Sequence, residues 1–235
     1  MRKTTDTRGA GTLIVIEGTD GSGKTEQFKR LVSRLSERAE VMPIDFPRYD
    51  LPSSHFVTEY LNGAYGSNAD VGPKKASLFY ALDRYDASVK QLRKWLTEGK
   101  TVAANRYVGS NMGHQGGKIA DDEERRKFFE WLYDLEYGIL GIPKPDLNII
   151  LHMPARMAQE LVSRKAKRDY IAGKTYDIHE ADLAHLANAE KVYLQMAEWF
   201  PDDFTIVECA PGGKLLSIDE IHEKVWDKAQ AVFEA

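Results

Sequence analysis

Eight residues carry the strongest chemical signal in the chain: Gly18-Thr19-Asp20-Gly21-Ser22-Gly23-Lys24-Thr25. They fit G-x-x-x-x-G-K-[ST] at every fixed position. An apolar run precedes them and a helix-periodic stretch follows, which is the setting a phosphate-binding loop requires. Glycines such as Gly18, Gly21 and Gly23 let backbone N–H groups close around an anion with no Cβ in the way. The following helix adds unpaired N–H groups and the positive end of its dipole, and Ser22 completes the cradle. In such a loop the lysine, Lys24, reaches the β- and γ-phosphates of a nucleoside triphosphate, and the Thr25 hydroxyl ligates Mg²⁺. The loop leaves the acceptor open, because hydrolases, motors and kinases all share it.

Other residues could serve a second anion. Arg48 closes the segment Phe46-Pro47-Arg48, and Arg106 directly follows a strand pattern, at the edge where α/β proteins bind ligands. Arginine neutralises phosphate through paired hydrogen bonds and keeps its charge. Arg164, Lys165, Lys167 and Arg168 end a helical stretch ahead of Gly173-Lys174. Phe79 and Tyr80 offer flat faces for a base, although aromatic residues on an amphipathic helix equally suit a core. His152 and His179 lack ligand spacing, and Cys209 has neither a base nor a metal partner in view.

The elements that must position these groups alternate regularly. Thr12–Glu17, Val41–Asp45, Lys100–Ala104, Leu147–Leu151 and Phe204–Glu208 read as short apolar strands. Helical periodicity covers Lys24–Arg38, Lys75–Glu98, Glu123–Ile139, Ala155–Arg168 and Leu183–Phe200. Ser217 and Glu220 form a capping-box signature for a last helix. Ala69–Pro73 and Gly173–Glu180 read as surface loops. Strands that alternate with helices and are apolar throughout predict a three-layer α/β fold, a five-stranded parallel sheet with helices on both faces.

The chain has 235 residues, 43% of them hydrophobic, which suits one globular domain with a full core. A net charge of −4 points to neither nucleic acid nor a membrane surface as partner. One cysteine excludes a disulfide framework, and with a polar Met1–Ala10 and no long apolar run the expected location is cytoplasmic.

The loop aspartate Asp20, Phe46-Pro47-Arg48, Phe79-Tyr80 through Arg84, Asn105-Arg106-Tyr107-Val108-Gly109-Ser110-Asn111 and Gly113-His114-Gln115-Gly116 occur in an order that resembles the thymidylate kinase family. The similarity runs from Thr12 to Tyr193. It implies ATP and dTMP as substrates, Mg²⁺ as cofactor and a homodimer. Residue by residue, it implies Asp20 near the acceptor sugar 3′-hydroxyl, Arg48 on the acceptor phosphate, and Tyr80, with Phe79 as the adjacent alternative, stacked on thymine. Arg84 is expected at the base edge and Arg106 between the acceptor phosphate and the γ-phosphate. Ser110 and Asn111 fall in the base-binding stretch, and His114, followed by Gln115, lies toward the sugar 2′ position. A lid over ATP is expected at residues 164–180, with either Arg164 or Arg168 as its catalytic cation. Two positions depart from the family pattern. Asn105 stands where an aspartate commonly helps organise magnesium, and His152 replaces another frequent aspartate. A kinase for a different nucleotide or a deoxynucleoside, and a nucleotide-binding regulator with little turnover, remain alternatives at this level.

Overall fold

The computed structural model describes residues 11–171 and 183–233, with side chains for all of these except 164–171. Its strands are β1 (Thr12–Gly18), β2 (Val41–Asp45), β3 (Thr101–Asn105), β4 (Leu147–His152) and β5 (Phe204–Glu208). They form one parallel sheet in the order β2-β3-β1-β4-β5. All five strands therefore end on one edge, and β1 delivers the glycine-rich loop to the middle of that edge.

Alternation along β1 explains why the sheet is covered twice. Leu13 and Val15 point into one core with Val102, Ala104 and Ile150. Ile14 and Ile16 point into the other with Ile149 and Leu151. Each of these four β1 side chains is fully buried, which contributes about 1.5–3 kcal/mol apiece. The second core is closed by α1 (Lys24–Ser36), α7 (Ala155–Ile171) and α9 (Ile218–Phe233), through Leu31, Leu35, Ala158, Ile221, Val225 and Trp226. The first is closed by α3 (Asn68–Ala87), α4 (Arg93–Thr97), α5 (Val108–Gly116), α6 (Asp122–Tyr133) and α8 (Leu183–Trp199).

The structure corrects several sequence readings. Ala69–Pro73 is the first turn of α3 rather than a surface loop. Ser67 Oγ accepts from the Asp70 N–H while the Asp70 carboxylate accepts from the Ser67 N–H at 2.8 Å, a full capping box. Gly72 at φ 71° takes up the kink before Pro73. α3 runs through a π-helical turn, Ser88–Leu92, into α4, and α6 continues through another, Asp134–Ile139. α2 (His55–Leu61) and α5 were not anticipated. The segment Gly173–Glu180 lies outside the described residues. The backbone of residues 164 and 168 belongs to α7.

Candidate active site

The loop after β1 is shaped by backbone conformations that favour glycine. Gly21 has φ 83°, and a Cβ there would sit 2.3 Å from the Ala158 carbonyl oxygen. Gly23, at φ 88°, caps α1. Lys24 is 6% exposed and curls back so that Nζ donates to the Thr19 carbonyl at 2.6 Å, 3.6 Å from Asp20 Oδ1. Burial, reinforced by nearby Arg106, lowers the Lys24 pKa to about 7 against the pull of Asp20 and Glu17. Inside the loop the hydroxyls of Thr19 and Ser22 are buried without a hydrogen-bond partner among the described residues.

Arg106 faces this loop from the end of β3. Its φ of 67° is left-handed, unusual for a residue with a side chain, and its N–H donates to Ile16 O at 2.9 Å. That turn carries the guanidinium onto Asp20 through Nη2 and onto His114 Nε2, 3.1 Å from Nη1. Burial alone would raise the Asp20 carboxyl, but Arg106 and Lys24 hold it well below the usual carboxylate range. Arginine can only donate, so His114 Nε2 accepts and Nδ1 carries the proton, directed at His185 Nε2, 3.4 Å away. Burial, helped by Arg106, pulls the His114 pKa to about 3, so the ring is neutral.

A cavity of about 480 Å³ adjoins this pair. Asp20, Thr25, Tyr80, Arg84, Asn105, Arg106, Ser110, Asn111, His114 and Gln115 line it, as do Phe46, Pro47, Tyr60 and Leu61. The fold thus gathers residues that lie far apart in sequence. Their individual commitments differ from expectation in places. Arg48 does not line the cavity: its guanidinium is drawn to Asp83 and Asp86, with Nε 3.0 Å from Asp83 Oδ1 and Nη2 2.7 Å from Asp86 Oδ2. Phe79 packs against Phe56, Tyr60 and Tyr65 instead of facing the cavity, so of the two aromatics expected to stack only Tyr80 lines it. Arg84 reaches the wall but is held by Glu136, a buried pair with Nε–Oε2 at 2.7 Å and a second bond from Nη2 to Oε1. Asn111 Nδ2 donates to Ser77 O at 3.1 Å and lies 3.5 Å from the same Glu136 Oε1. Its Oδ1 is buried without a partner among the described residues. Ser110 donates to Glu17 Oε2 at 2.6 Å, and Gln115 Oε1 accepts from Lys118 Nζ at 2.8 Å.

At the wall nearest Arg106, Asn105 Nδ2 donates to Asp45 Oδ1 at 3.0 Å. The two are register partners at the ends of β3 and β2. Burial raises the Asp45 pKa against Asn105 and Arg106. His152, across the sheet, bonds Glu208 Oε2 at 2.7 Å and Glu190 Oε1 at 2.9 Å, an ion-pair network with no ligand geometry. Cys209 is buried, and burial pushes its thiol up to about 12, so it is inert. Asp45, Glu136 and His185 were missed by sequence reasoning. Glu136 alone left a trace, as an acid beside the buried stripe of α6.

Arg106 stands where the glycine-rich loop and the cavity adjoin, bonded to Asp20 of the loop and lining the cavity. The fold and site are those of a P-loop nucleotide kinase. Comparison with known proteins agrees. A family model described as Thymidylate kinase matches residues 16–225. Thymidylate kinase of Mycobacterium tuberculosis is 32% identical over 79% of this chain and 85% of its own length. A probable thymidylate kinase of Thermococcus kodakarensis is 27% identical over 81% and 86%. The solved structure of Candida albicans thymidylate kinase superposes with a TM-score of 0.69 at 25% identity, covering 94% of this chain and 92% of that one. The chain belongs to the thymidylate kinase family.

Proposed function

We propose that the chain transfers the γ-phosphoryl group of ATP to thymidine monophosphate, giving ADP and dTDP. One observation carries the choice of acceptor. Asn111 Oδ1 is a buried acceptor with no partner among the described residues, and Arg84, bonded to the same Glu136 oxygen, brings N–H donors beside it. An acceptor next to donors complements the N3–H and O4 of thymine or uracil. Cytosine would set an N3 lone pair against Asn111 Oδ1 and an amino group against Arg84. The amide cannot simply turn over, because Nδ2 is anchored to Ser77 O.

In this reading the glycine-rich loop and Lys24 grip the triphosphate, Tyr80 stacks on the base, and Arg106 bridges the acceptor phosphate and the γ-phosphate. Asp20 holds Arg106 in place and faces the sugar. The acceptor phosphate is already anionic, so positioning and charge stabilisation provide the catalysis. Arg48 swings from Asp83 and Asp86 to reach the acceptor phosphate. Residues 164–180 act as the lid, with a cation from Arg164 or Arg168. A divalent cation fits the site, since the Asn105 Oδ1 is buried without a partner among the described residues, in the cavity that Thr25 also lines. Mg²⁺ held there would neutralise phosphate oxygens.

The chain works as a homodimer through the outer face of α3. Leu78, Leu82, Tyr85 and Val89 repeat at helical spacing there and are all exposed. Among the described residues no helix is long and apolar enough to cross a membrane, in keeping with a cytoplasmic enzyme. An acceptor panel of dTMP, dUMP, dCMP, dGMP and thymidine, with ADP release coupled to a dehydrogenase, tests the reading. dTMP and dUMP should be turned over and dCMP and thymidine should not. Faster turnover of dCMP, or binding of ATP and dTMP with no dTDP formed, would overturn it.

A further inference from the structure

We propose that Asp45 and Asn105 together seat the divalent cation of the transfer reaction, with Asp45 supplying the carboxylate that position 105 lacks. The inference rests on the kinase reading above and names the protein ligands of its metal.

Three observations support it. Asn105 and Asp45 end adjacent parallel strands as register partners, and both line the cavity with Thr25. The bond from Asn105 Nδ2 to Asp45 Oδ1 fixes the amide, because a carboxylate only accepts. The remaining amide oxygen, Asn105 Oδ1, is then a buried donor atom for a metal with no hydrogen-bond partner among the described residues, on a residue only 4% exposed.

The second observation is electrostatic. Three acids line the cavity. Asp20 faces Arg106 and Lys24, and Asp83 faces Arg48. Asp45 forms no ion pair among the described residues. A carboxylate with no ion-pair partner beside two bound phosphate chains would repel both, since like charges in a site shielded from bulk water are poorly screened. A cation between them turns the same carboxylate into an attraction.

The third concerns ligand number. Among the described residues no group of three or more His, Cys, Asp or Glu side chains converges to hold a metal. Mg²⁺ does not need one: it keeps several waters and takes one or two carboxylates together with substrate phosphates. One aspartate, one amide oxygen and the Thr25 hydroxyl match that habit.

Mn²⁺ serves as the probe, titrated into the full chain with ADP present and no acceptor, and followed by loss of the free-ion electron paramagnetic resonance signal. The readout needs no turnover. Asp45→Asn should weaken Mn²⁺ binding about 10- to 100-fold. Asn105→Asp should tighten it, because a second charge is added. The exchange of the two, Asp45→Asn with Asn105→Asp, should restore the binding lost in the first variant, since the carboxylate and the interstrand hydrogen bond are both kept. Melting curves identify any variant that fails to fold, and Asn105→Asp then carries the test. Unchanged Mn²⁺ affinity in both single variants, or no recovery in a folded exchange variant, would overturn the proposal. A chain that loses Mn²⁺ in Asp45→Asn yet never forms dTDP as wild type would instead sink the kinase reading and leave the cation seat standing.

Discussion

Replacing Arg84 by methionine separates what that residue does for stability from what it does for the substrate. Arg84 is 2% exposed and Glu136 fully buried, and two hydrogen bonds join them, with a third contact from Arg84 Nη1 to Tyr107 O at 3.4 Å. Methionine fills much of the volume but leaves Glu136 unpaired in the interior. Removing one member of a buried pair costs about 3–5 kcal/mol. In a chain of this size each kcal/mol shifts the midpoint by about 2–4 °C, so Arg84→Met should melt about 6–20 °C lower. Adding Glu136→Leu removes the stranded charge and should recover most of that loss, because apolar replacement of a buried pair is often neutral. The double variant should still bind dTMP poorly. A charge-assisted hydrogen bond to the base is worth about 1.5–3 kcal/mol, which is about 10- to 100-fold in KM for dTMP with KM for ATP unaltered. Urea unfolding followed by circular dichroism, paired with steady-state kinetics, reads both effects. A single variant within about 1 kcal/mol of wild type, or a double variant no more stable than the single, would refute the reasoning.

Lys24→Ala should lower kcat by at least about 10²–10³-fold while leaving the far-ultraviolet spectrum intact, since among the described residues Nζ engages the loop itself, Thr19 O and Asp20; near wild-type turnover would remove the lysine from the site. Tyr80→Ala removes the one lining aromatic expected to stack and should cost about 1–3 kcal/mol in dTMP binding, with equal changes in both KM values counting against stacking. His152 gives a pH dependence. Burial opposes its charge, but hydrogen bonds to Glu208 and Glu190 raise its pKa above the ordinary imidazole value of 6.5. The stability this contributes is fully present below pH 6.5 and is lost as pH rises through the higher folded value. Melting temperature should therefore fall across that window, and Glu208→Gln should flatten the fall; parallel curves for the two proteins would exclude the network.

What could be read from the sequence follows from which forces are local. β1 and β4 are buried on both faces, so their apolar runs announced the strands directly. The loop from Gly18 to Thr25 was legible because its chemistry needs contiguous residues. α5 was not, because Val108–Gly116 carries three glycines and its polar side chains, Ser110, Asn111, His114 and Gln115, line the cavity instead of marking a solvent face. α3 was cut short because Gly72-Pro73 reads as a breaker, whereas the capping box at Ser67 and Asp70 starts the helix ahead of it. At the site, the spacing of Tyr80 and Arg84 was visible in the chain, but nothing in it reveals that Glu136 waits 52 positions away to hold the arginine. Arg48 shows the same limit: its bonds to Asp83 and Asp86 come from α3, which sequence reading could place but not orient. Asp45 sits immediately before Phe46-Pro47-Arg48 and passed as a strand end. Its importance comes from lateral pairing with Asn105, a relation that only the sheet register creates.

The left-handed backbone at Arg106 has a consequence for anyone improving this protein. A non-glycine residue held there costs about 1–2 kcal/mol, a strain that glycine escapes and asparagine largely does. A library ranked only by heat resistance would therefore drift toward those two residues at position 106, and every step of apparent gain would discard the side chain proposed to bridge the two nucleotides. Sturdiness and turnover pull in opposite directions at this single peptide, so it should be frozen before any such selection begins.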